Sequence, residues 1–594
     1  MKQIVLGYKG DIDLYEQMSE FIHEYKTGKY KNLLFHIYSG IYNEQILLDI
    51  SKEIRRIFPD SLIAGTISAG EIKSGCLMDK GILISGLFFE STDVELIKYK
   101  NIKGNESEVG RKLTEKVNLT EDIKALELIL PGTEFNTRYI FEELSKCKDG
   151  VSVFGGYAGG HDMENGEHFI FDDEEILSND IFAILYSGKD FHIDVDKSVG
   201  WQTIGHHFVV TKADENRLIE IDNRPAVEIY EKYLQISRDG NFAEETFEFP
   251  LIVKVQDDEL LRHTIAVEED GTLDLAGYVT EGMSLYLCYG NPSLIVEKVN
   301  QRLKDVQDFC PEAILLYSCS VRKSFWENYV DLEMIPFNEI APVAGFHTWG
   351  EVKRNPDTRE VMEYNITLLS IAMREGDSQK KTEEYISVDD SVLEGQALLI
   401  KRLSQLVSAT TTELQNAYRN LEKMNQKLKI LSDHDALTGL FNRRKFEEEA
   451  IEEIKRAAYT SKVVSFVMLD IDYFKSINDE YGHDVGDSVL KEIAQIMKKS
   501  ISDKDCSFAG RWGGEEFFIS LPEIDADEAV SFTENLRLTV EGYKFSGVNK
   551  NITISLGVIT TDGKEESSTI FKNVDDCLYA AKRNGRNCYI QYRR

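Results

Sequence analysis

The sequence has little that would mark flexible linkers or membrane segments. Among its 594 residues there are only ten prolines and no low-complexity tract, so domain boundaries must be inferred from changes in apolar pattern. No apolar run approaches the roughly 18 residues that a membrane-spanning helix needs, and residues 1–10 lack a signal-peptide core. We therefore expect a soluble, cytoplasmic protein with no membrane partner.

Cysteine pairs and an excess of basic residues are also missing. The eight cysteines are scattered, with no CxxC pair and no histidines at zinc-binding spacing, which favours reduced thiols in the cytoplasm. The formal net charge of -35 argues against a broad basic surface, so we expect no nucleic-acid partner. Any phosphate ligand must be bound by a few local groups. The length predicts about three to five compact units.

Residues 1–375 alternate apolar runs of strand type with amphipathic segments, which predicts mixed α/β structure. Two glycine clusters, residues 64–72 and 154–160, are open to two interpretations: a phosphate- or carboxylate-binding loop after a strand, or a tight turn. Because neither contains a GxxxxGK[ST] pattern, we favour the turn.

Four phrases in this region occur in a recognisable order: SVGW at 198–201, the segment 221–230, LYSCSVR at 316–322 and VAGFHTWGEV at 343–352. Together they resemble the FIST sensory region over about residues 30–370. The resemblance implies a sensor of a small molecule, with amino acids among the suggested ligands. We place an N-terminal FIST domain at 1–235 and a C-terminal FIST domain at 236–375.

Four polar residues in these phrases are candidates for contact with the sensory ligand: Cys319, Arg322, His347 and Glu351. Each has an alternative structural interpretation. Cys319 has the size of a core residue, His347 fits a buried histidine, and Arg322 and Glu351 have the charges of an internal ion pair.

Residues 388–432 have the pattern of a signalling helix. Apolar or small residues recur at spacings of three and four without glycine or proline: Ile400, Leu403, Val407, Thr410, Leu414, Ala417, Leu421, Met424, Leu428 and Leu431. A helix packed on its own domain would have a wider apolar stripe, so we predict a two-stranded parallel coiled coil about 48 Å long. A coiled coil of this kind implies a homodimer.

The segment RWGGEEF, residues 511–517, lies between two short apolar runs and predicts a β-hairpin. Its glycines permit positive φ and a close approach of another molecule. Of the neighbouring Glu515 and Glu516, only one can face that molecule if the strand continues, because successive side chains point to opposite faces. Taken alone, the segment is also compatible with a solvent-facing hairpin with surface acids.

An apolar strand at residues 463–469 ends in DIDYFKSIND, residues 470–479. Asp470 and Asp472 would share one face if the strand continues, and their oxygens suit Mg²⁺ or Mn²⁺. Pairing this strand with the hairpin would bring Glu515 beside Asp470, as two-metal phosphoryl or nucleotidyl transfer requires. Lys582 and Arg586 would share a helix face if the turn persists; alternatively, they are an ordinary basic helix end.

Residues 433–594 as a whole resemble the GGDEF family of diguanylate cyclases, in the GGEEF form. The resemblance implies a ferredoxin-like βαββαβ fold and a nucleotidyltransferase that joins two GTP molecules into cyclic di-GMP and releases two pyrophosphates. Each domain would hold one GTP, so two domains must meet. The expected architecture is therefore a two-part α/β sensory region, a coiled-coil helix and this cyclase domain.

The resemblance also assigns roles to single residues. Asp470, the Ile471 carbonyl and Glu515 would bind two metal ions per active site, Mg²⁺ or Mn²⁺, and Glu515 is the candidate base. Lys475 would stabilise phosphate charge. The positions that match substrate contacts are Asn478 and Asp487 for guanine, His483, Gly513 and Gly514 at the α-phosphate, and Lys582 and Arg586 for the triphosphate.

We expect a diguanylate cyclase regulated by a small ligand through the coiled coil. A catalytically silent GTP-binding module is the alternative, and a cyclase for another purine is disfavoured by Asp487, which suits the N1 and N2 donors of guanine. No phosphodiesterase signature is present. Many relatives carry an RxxD product-inhibition motif where this sequence has Lys504 and Ser507. We therefore predict weak or absent product inhibition at this position.

Overall fold

The computed structural model describes residues 1–8, 14–132, 136–161, 168–238, 240–255, 258–377, 384–389 and 395–593. The side chains at 20, 395–397, 415, 426, 428 and 431 lie outside this description, including the predicted coiled-coil positions Leu428 and Leu431. The chain divides into two compact units, Met1–Thr412 and Glu413–Arg594. Within the described ranges, no helix is both long and apolar enough to cross a membrane.

The first unit contains three six-stranded sheets that have the same central arrangement. In each sheet the two middle strands are parallel neighbours and are joined through helical structure. In spatial order the first sheet is Lys2–Tyr8, Ile82–Phe89, Asn32–Ser39, Leu62–Ile67, Ile170–Phe171 and Ile176–Leu177. The second is Val361–Tyr364, Glu351–Arg354, Ser152–Tyr157, Ile123–Leu130, Ile181–Ser187 and Asp93–Tyr99. The third is Phe191–Ser198, Leu368–Glu375, Ala313–Cys319, Val343–Thr348, Glu71–Lys73 and Cys76–Met78.

A further sheet of eight strands is built almost entirely from residues 201–290. Its order is Asp258–Arg262, Leu251–Val255, Ser284–Gly290, Trp201–Asp214, Arg217–Ile221, Leu273–Leu275 and Thr264–Val267, with Arg224–Pro225 paired to Arg217–Ile221. The mixed α/β prediction for residues 1–375 is confirmed.

The helices of the first unit cover these sheets with amphipathic faces. In Glu44–Ile57, the Asn43 side chain caps the first turn and the buried positions 47, 50, 51 and 54 follow helical spacing. The other helices are Leu14–Gln17, Ser19–Lys26, Glu106–Leu119, Arg138–Leu144, Glu228–Leu234, Phe242–Thr246, Pro292–Phe309, Ser320–Trp326, Ile335–Ile340 and the 3₁₀ segment Glu327–Glu333.

The glycine clusters are not simple tight turns. Gly65 and Gly155 lie inside strands, where a Cβ would stand 2.3 Å from the Phe171 ring and 2.1 Å from the Leu128 carbonyl oxygen. The turn prediction is therefore wrong at these positions, because close packing rather than chain reversal requires glycine there.

Helix Gly395–Asp433, here called the linker helix, runs through the predicted coiled-coil segment. Near its start it packs on the rest of the first unit: the Tyr289 hydroxyl donates to the Ser404 carbonyl oxygen at 3.0 Å, and Gln202 donates to Ser408. Further along, Leu414 is 59% exposed and Leu421 54% exposed. Pairing of two such helices stays a prediction.

The second unit contains one six-stranded sheet, and we number its elements separately. They are β1 (Phe441–Asn442), α1 (Arg443–Thr460), β2 (Val464–Ile471), α2 (Phe474–Tyr481), α3 (His483–Ile501), β3 (Phe508–Gly513), β4 (Glu516–Pro522), α4 (Ala526–Gly542), β5 (Ile554–Thr561), α5 (Ser567–Arg583) and β6 (Tyr589–Gln591).

The central strands have the order β3-β4-β2-β5, all antiparallel, with β1 and β6 at the edges. Since β2 and β3 are joined through helices, and β4 and β5 through α4, the connectivity is βαββαβ. The ferredoxin-like prediction is confirmed. One face of the sheet packs against α2, α3 and α4, and the other against α1 and α5.

Candidate active site

Asp470 lies next to the last residue of β2, a strand in which every residue is buried. Phe466 and Met468, four and two residues earlier, pack among α1 and α5, so Asp470 points toward the same face. Its carboxylate oxygen lies 2.7 Å from the Lys582 ammonium of α5. Burial raises the pKa of Asp470 to about 6, against the pull of Lys582.

The hairpin between β3 and β4 brings two further carboxylates to this strand end. The register pairs Asp470 with Glu516, and Glu515 precedes Glu516 in the turn. The strand partner of Asp470 is therefore one residue later than Glu515. Both glutamates nevertheless act on Asp470, because their negative charges add to the rise in its pKa. Three carboxylates thus lie near one another at this strand end, and the Lys582 ammonium contacts Asp470, so the arrangement favours added positive charge.

The tip of the hairpin is open to another molecule. Gly514 has a φ of 48°, and a Cβ on Gly513 or Gly514 would meet no atom within 4 Å. Positive φ explains glycine at 514, whereas the open space above both residues leaves room for a substrate group against the backbone.

Arg511 holds this tip in place. Its Nε and Nη2 donate to the Gly514 carbonyl oxygen at 3.0 and 2.8 Å, and its Nη1 lies 3.3 Å from Asp435. Asp435, two residues after the linker helix, also accepts hydrogen bonds from the Thr438 amide and hydroxyl. The sequence alone predicts no role for Arg511 or Asp435, although Arg511 stands in the RWGGEEF segment and Asp435 in the region 433–594 that resembles the GGDEF family.

The predicted guanine contacts lie on α2 and α3. Gly482, with a φ of 88°, separates the two helices. Gly486 of α3 packs under Asn478 of α2, where a Cβ would stand 1.9 Å from the Asn478 side-chain oxygen. Asn478 is therefore brought against the residue that precedes Asp487. Asn478 is partly buried, whereas Asp487 is exposed.

Lys475 and His483 are exposed on the same pair of helices, Lys475 in the first turn of α2 and His483 at the start of α3. Ile471, the last residue of β2, is fully buried and its backbone lies beside Asp470.

The prediction that Lys582 and Arg586 share a helix face is wrong. Helix α5 ends at Arg583, and Arg586 follows in a left-handed conformation with a φ of 64°. Its guanidinium instead lies over the Tyr473 ring, 4.4 Å from the centroid. Arg586 is thus held beside the loop that follows β2, while Lys582 reaches Asp470 from the helix.

Asp472 is occupied by structural contacts. Its oxygens accept hydrogen bonds from the Thr553 and Ser555 hydroxyls and from the Asn587 amide. These bonds tie β5 and the segment after α5 to the end of β2. Asp472 therefore orders the strand end, and Asp470 is the carboxylate left for a ligand.

The donors at this strand end fit a hard divalent cation. Asp470, Glu515 and the Ile471 carbonyl offer oxygen ligands only, the chemistry that Mg²⁺ and Mn²⁺ prefer. Across the described ranges, no cluster of three His, Cys, Asp or Glu residues is arranged to hold a metal without help. Substrate phosphate oxygens would have to complete the coordination.

The four candidate sensory residues are all fully buried. Arg322 does not pair with Glu351: it forms a two-bond ion pair with Glu333, at 2.7 and 2.6 Å. Glu351 accepts hydrogen bonds from Thr367, and burial raises its pKa to about 8.

Burial also raises the pKa of the Cys319 thiol to about 12 and lowers the pKa of His347 to about 3. Neither ring nitrogen of His347 has a hydrogen-bond partner among the described residues. A ligand would reach any of the four only if the region opened.

Family models match three parts of the chain. Residues 33–224 match the FIST N domain, residues 226–354 the FIST C domain, and residues 432–588 the GGDEF domain of diguanylate cyclases.

The similar curated proteins match in the last region. Diguanylate cyclase DgcM of Escherichia coli is 39% identical over 166 residues, 28% of this chain and 40% of that protein. Response regulator PleD of Caulobacter vibrioides is 37% identical over 161 residues, 26% of this chain and 35% of that protein. A diguanylate cyclase of Vibrio cholerae is 37% identical over 175 residues, 29% of this chain and 54% of that protein. The chain thus spans roughly half or less of these relatives.

Among solved structures, the active GGEEF domain of a Vibrio cholerae diguanylate cyclase is 38% identical and covers 26% of this chain and 99% of its own, with a TM-score of 0.25. The coiled coil and GGDEF domain of DgcB from Caulobacter crescentus, in complex with c-di-GMP, is 28% identical and covers 32% of this chain and 99% of its own, with a TM-score of 0.29. By the three family models, this chain carries FIST N and FIST C domains followed by a C-terminal GGDEF domain.

Proposed function

We propose that the protein is a diguanylate cyclase that joins two GTP molecules into cyclic di-GMP as a homodimer, under the control of a small ligand in its FIST region. The observation that carries the proposal is the end of β2, where Asp470, Glu515, Glu516 and Lys582 converge beside the open Gly513–Gly514 turn. Because GTP is a cytoplasmic nucleotide, we place the reaction in the cytoplasm.

In the proposed reaction, the 3′-oxygen of each GTP attacks the α-phosphorus of the other. A new P–O bond forms, the bond to the bridging oxygen of the β-phosphate breaks, and pyrophosphate leaves. Glu515 accepts the hydroxyl proton. Two Mg²⁺ or Mn²⁺ ions held by Asp470, Glu515 and the Ile471 carbonyl would supply charge that neutralises the phosphates.

The remaining residues bind and orient GTP. Asn478 and Asp487 read the guanine edge, and His483 contacts the substrate beside them. Lys475 stabilises developing phosphate charge, while Lys582 and Arg586 bind the triphosphate. The Lys582–Asp470 contact supports this role, since an ammonium that balances a carboxylate in the free protein is placed to meet incoming phosphate charge.

The linker helix supplies the dimer in this proposal. Leu403, Leu414, Leu421 and Met424 all occupy predicted heptad core positions and are each more than half exposed. Burying this stripe against a second copy would remove apolar surface from water and bring two GGDEF domains together. The contacts of Gln202 and Tyr289 with the start of the helix support a route from the sensory region.

The test is to incubate the full chain with GTP and Mg²⁺ and to measure cyclic di-GMP and pyrophosphate. We expect Glu515→Ala and Asp470→Asn to lower the rate by about a hundredfold or more, because each removes a ligand for the neutralising charge. Glu523→Gln is the matched control, since the ion pair of this exposed glutamate, within the part of the chain that the structure describes, is with Lys462 at the opposite end of β4.

Product from the wild type that persists in Glu515→Ala would refute the assignment. GTP binding without product from the wild type, in the presence of the sensory ligand, would instead favour the silent GTP-binding module.

A further inference from the structure

A cavity of about 400 Å³ lies in the sensory unit between helix Arg138–Leu144 and the strands Leu251–Val255, Asp258–Arg262 and Val361–Tyr364. Its walls combine residues from both FIST domains, and Phe141, Leu260, Met283 and Val361 make them mainly apolar. The volume is within the range of about 300 to 1,000 Å³ of small-molecule sites. None of the four sensory residues predicted from the sequence lines this cavity.

Arg262 lines the same cavity and is only 3% exposed. Its Nε donates to the Tyr278 carbonyl oxygen at 3.2 Å, and its Nη1 donates to the carbonyl oxygens of Leu261 at 2.9 Å and Glu363 at 3.4 Å. The guanidinium is packed against Gly277, where a Cβ would stand 2.7 Å from Arg262 Cζ. Its position is therefore fixed, yet Nη2 donates to no described residue.

The free Nη2 distinguishes Arg262 from the other buried arginines among the described residues. Four others are less than 10% exposed, and each donates from Nη2 to an oxygen. The acceptors are the Asp194 and Ser370 carbonyl oxygens for Arg302, the Glu333 carboxylate for Arg322, the Cys147 carbonyl oxygen for Arg354 and the Glu534 carboxylate for Arg537. Arg262 Nη2 is not among the fully buried polar atoms of the described residues, so it opens to the cavity, where an acceptor can reach it.

The charges around Arg262 restrict that acceptor. Among the described residues, no carboxylate oxygen lies within 4.0 Å of a guanidinium nitrogen of Arg262, so it has no ion-pair partner there. Burial lowers the pKa of Arg262 and raises the pKa of Glu363, and the charge of each group opposes the shift of the other. Glu142, Glu360 and Glu363 also line the cavity, and Arg138 is its other lining cation. A second negative charge on a ligand would therefore be repelled. A monoanion therefore fits better than a phosphate ester or a dicarboxylate.

We propose that this cavity binds a small monocarboxylate with an apolar body, whose carboxylate accepts hydrogen bonds from Arg262 Nη2. The apolar body lies against Phe141, Leu260, Met283 and Val361. Water would satisfy Nη2 equally well, but it gains nothing from the apolar walls, whereas an apolar group displaces it favourably. As the ligand class of the FIST region, this monocarboxylate rests on the proposed sensory function.

The test measures binding directly, without turnover. Hexanoate, 4-methylpentanoate and 3-phenylpropanoate are titrated into the full chain by calorimetry, each beside its neutral amide. We expect at least one acid to bind about tenfold or more tightly than its amide, because the amide cannot form a charge-assisted bond with Arg262. Arg262→Gln should remove this preference.

Two further variants separate loss of the site from loss of the fold. Arg354→Gln removes another buried arginine whose donors all meet carbonyl oxygens, so it should cost stability and leave the acid-over-amide preference intact. Met283→Trp should fill the cavity and weaken binding of acid and amide alike while Arg262 remains. Circular dichroism verifies that each variant is folded.

Equal binding of acid and amide, unchanged binding in Arg262→Gln, or no binding of any acid at millimolar concentration would overturn the proposal. Failure of the proposed cyclase function is distinguishable, because it would appear as missing cyclic di-GMP while these titrations are unaffected. Binding without any change in product formation would support the site and contradict only its regulatory link.

Discussion

Replacing Arg511 by lysine should lower cyclase activity without unfolding the domain. Arg511 makes two hydrogen bonds to the Gly514 carbonyl oxygen and one ion pair with Asp435. Lysine keeps the positive charge but has a single ammonium group in place of the planar guanidinium. At least one hydrogen bond from a charged donor is therefore lost. Such bonds contribute about 1.5 to 3 kcal/mol each. If this energy orders a Gly513–Gly514 turn that is mostly disordered without it, the equilibrium constant for ordering falls by about 10- to 150-fold, and product formation falls with it.

The assay compares cyclic di-GMP formation and urea unfolding for Arg511→Lys, Asp435→Asn and the double variant. Because both residues act on the same turn, the double variant should lose clearly less than the sum of the two single losses. Arg456→Lys is the control, since Arg456 is exposed and, among the described residues, its ion pair is with Glu453 of the same helix. Activity within about twofold of the wild type in Arg511→Lys would refute the reasoning, because a tenfold loss is the least that one bond predicts.

Four further outcomes can be measured. Leu421→Pro should break the linker helix and abolish both dimerisation and product formation, as seen by ultracentrifugation and the cyclase assay. In the folded protein Glu351 keeps its proton up to a pKa of about 8, whereas in the unfolded chain it loses the proton near its ordinary pKa of 4.5. The folded state is therefore destabilised relative to the unfolded state as pH rises from about 4.5 through 8. The free energy of unfolding should thus fall by about 2 kcal/mol between pH 6 and 8, and by less in Glu351→Gln. Cyclic di-GMP should inhibit the wild type weakly or not at all, whereas Lys504→Arg with Ser507→Asp should create inhibition; micromolar inhibition that depends on Lys504 would contradict this. Tyr289→Phe should weaken the effect of a bound acid on product formation, while the acid still binds in preference to its amide.

The architecture of the GGDEF domain could be predicted because its signals are local. A continuous apolar run gives β2, a double glycine gives the hairpin, and the order of strands and helices restricts the topology. Register is not a local property. The pairing of Asp470 with Glu516 depends on how far β4 extends into the turn, and a shift of one residue changes which carboxylate faces the partner strand.

The partners of buried charges were the hardest features to predict. Arg322 and Glu351 lie in neighbouring motifs, yet Glu333, from the intervening 3₁₀ segment, is the partner of Arg322. Arg586 was placed on a helix that ends three residues before it. Arg262 stands in an ordinary strand sequence and carries no motif at all. In each case the partner is determined by tertiary packing, which spacing along the chain does not encode.

The cavity and the linker helix are connected by one stiff element. Met283 lines the cavity and directly precedes strand Ser284–Gly290, which lies between two neighbours in its sheet. Tyr289, six residues on and about 20 Å away along a strand, touches the linker helix at the Ser404 carbonyl oxygen. A displacement at Met283 therefore has a direct mechanical route to the helix. The route alone is not regulation, because a ligand that binds both helix arrangements equally shifts neither. Control of the cyclase requires the acid to bind one helix arrangement more tightly than the other. By linkage, a dimer that favours that arrangement must then bind the acid more tightly.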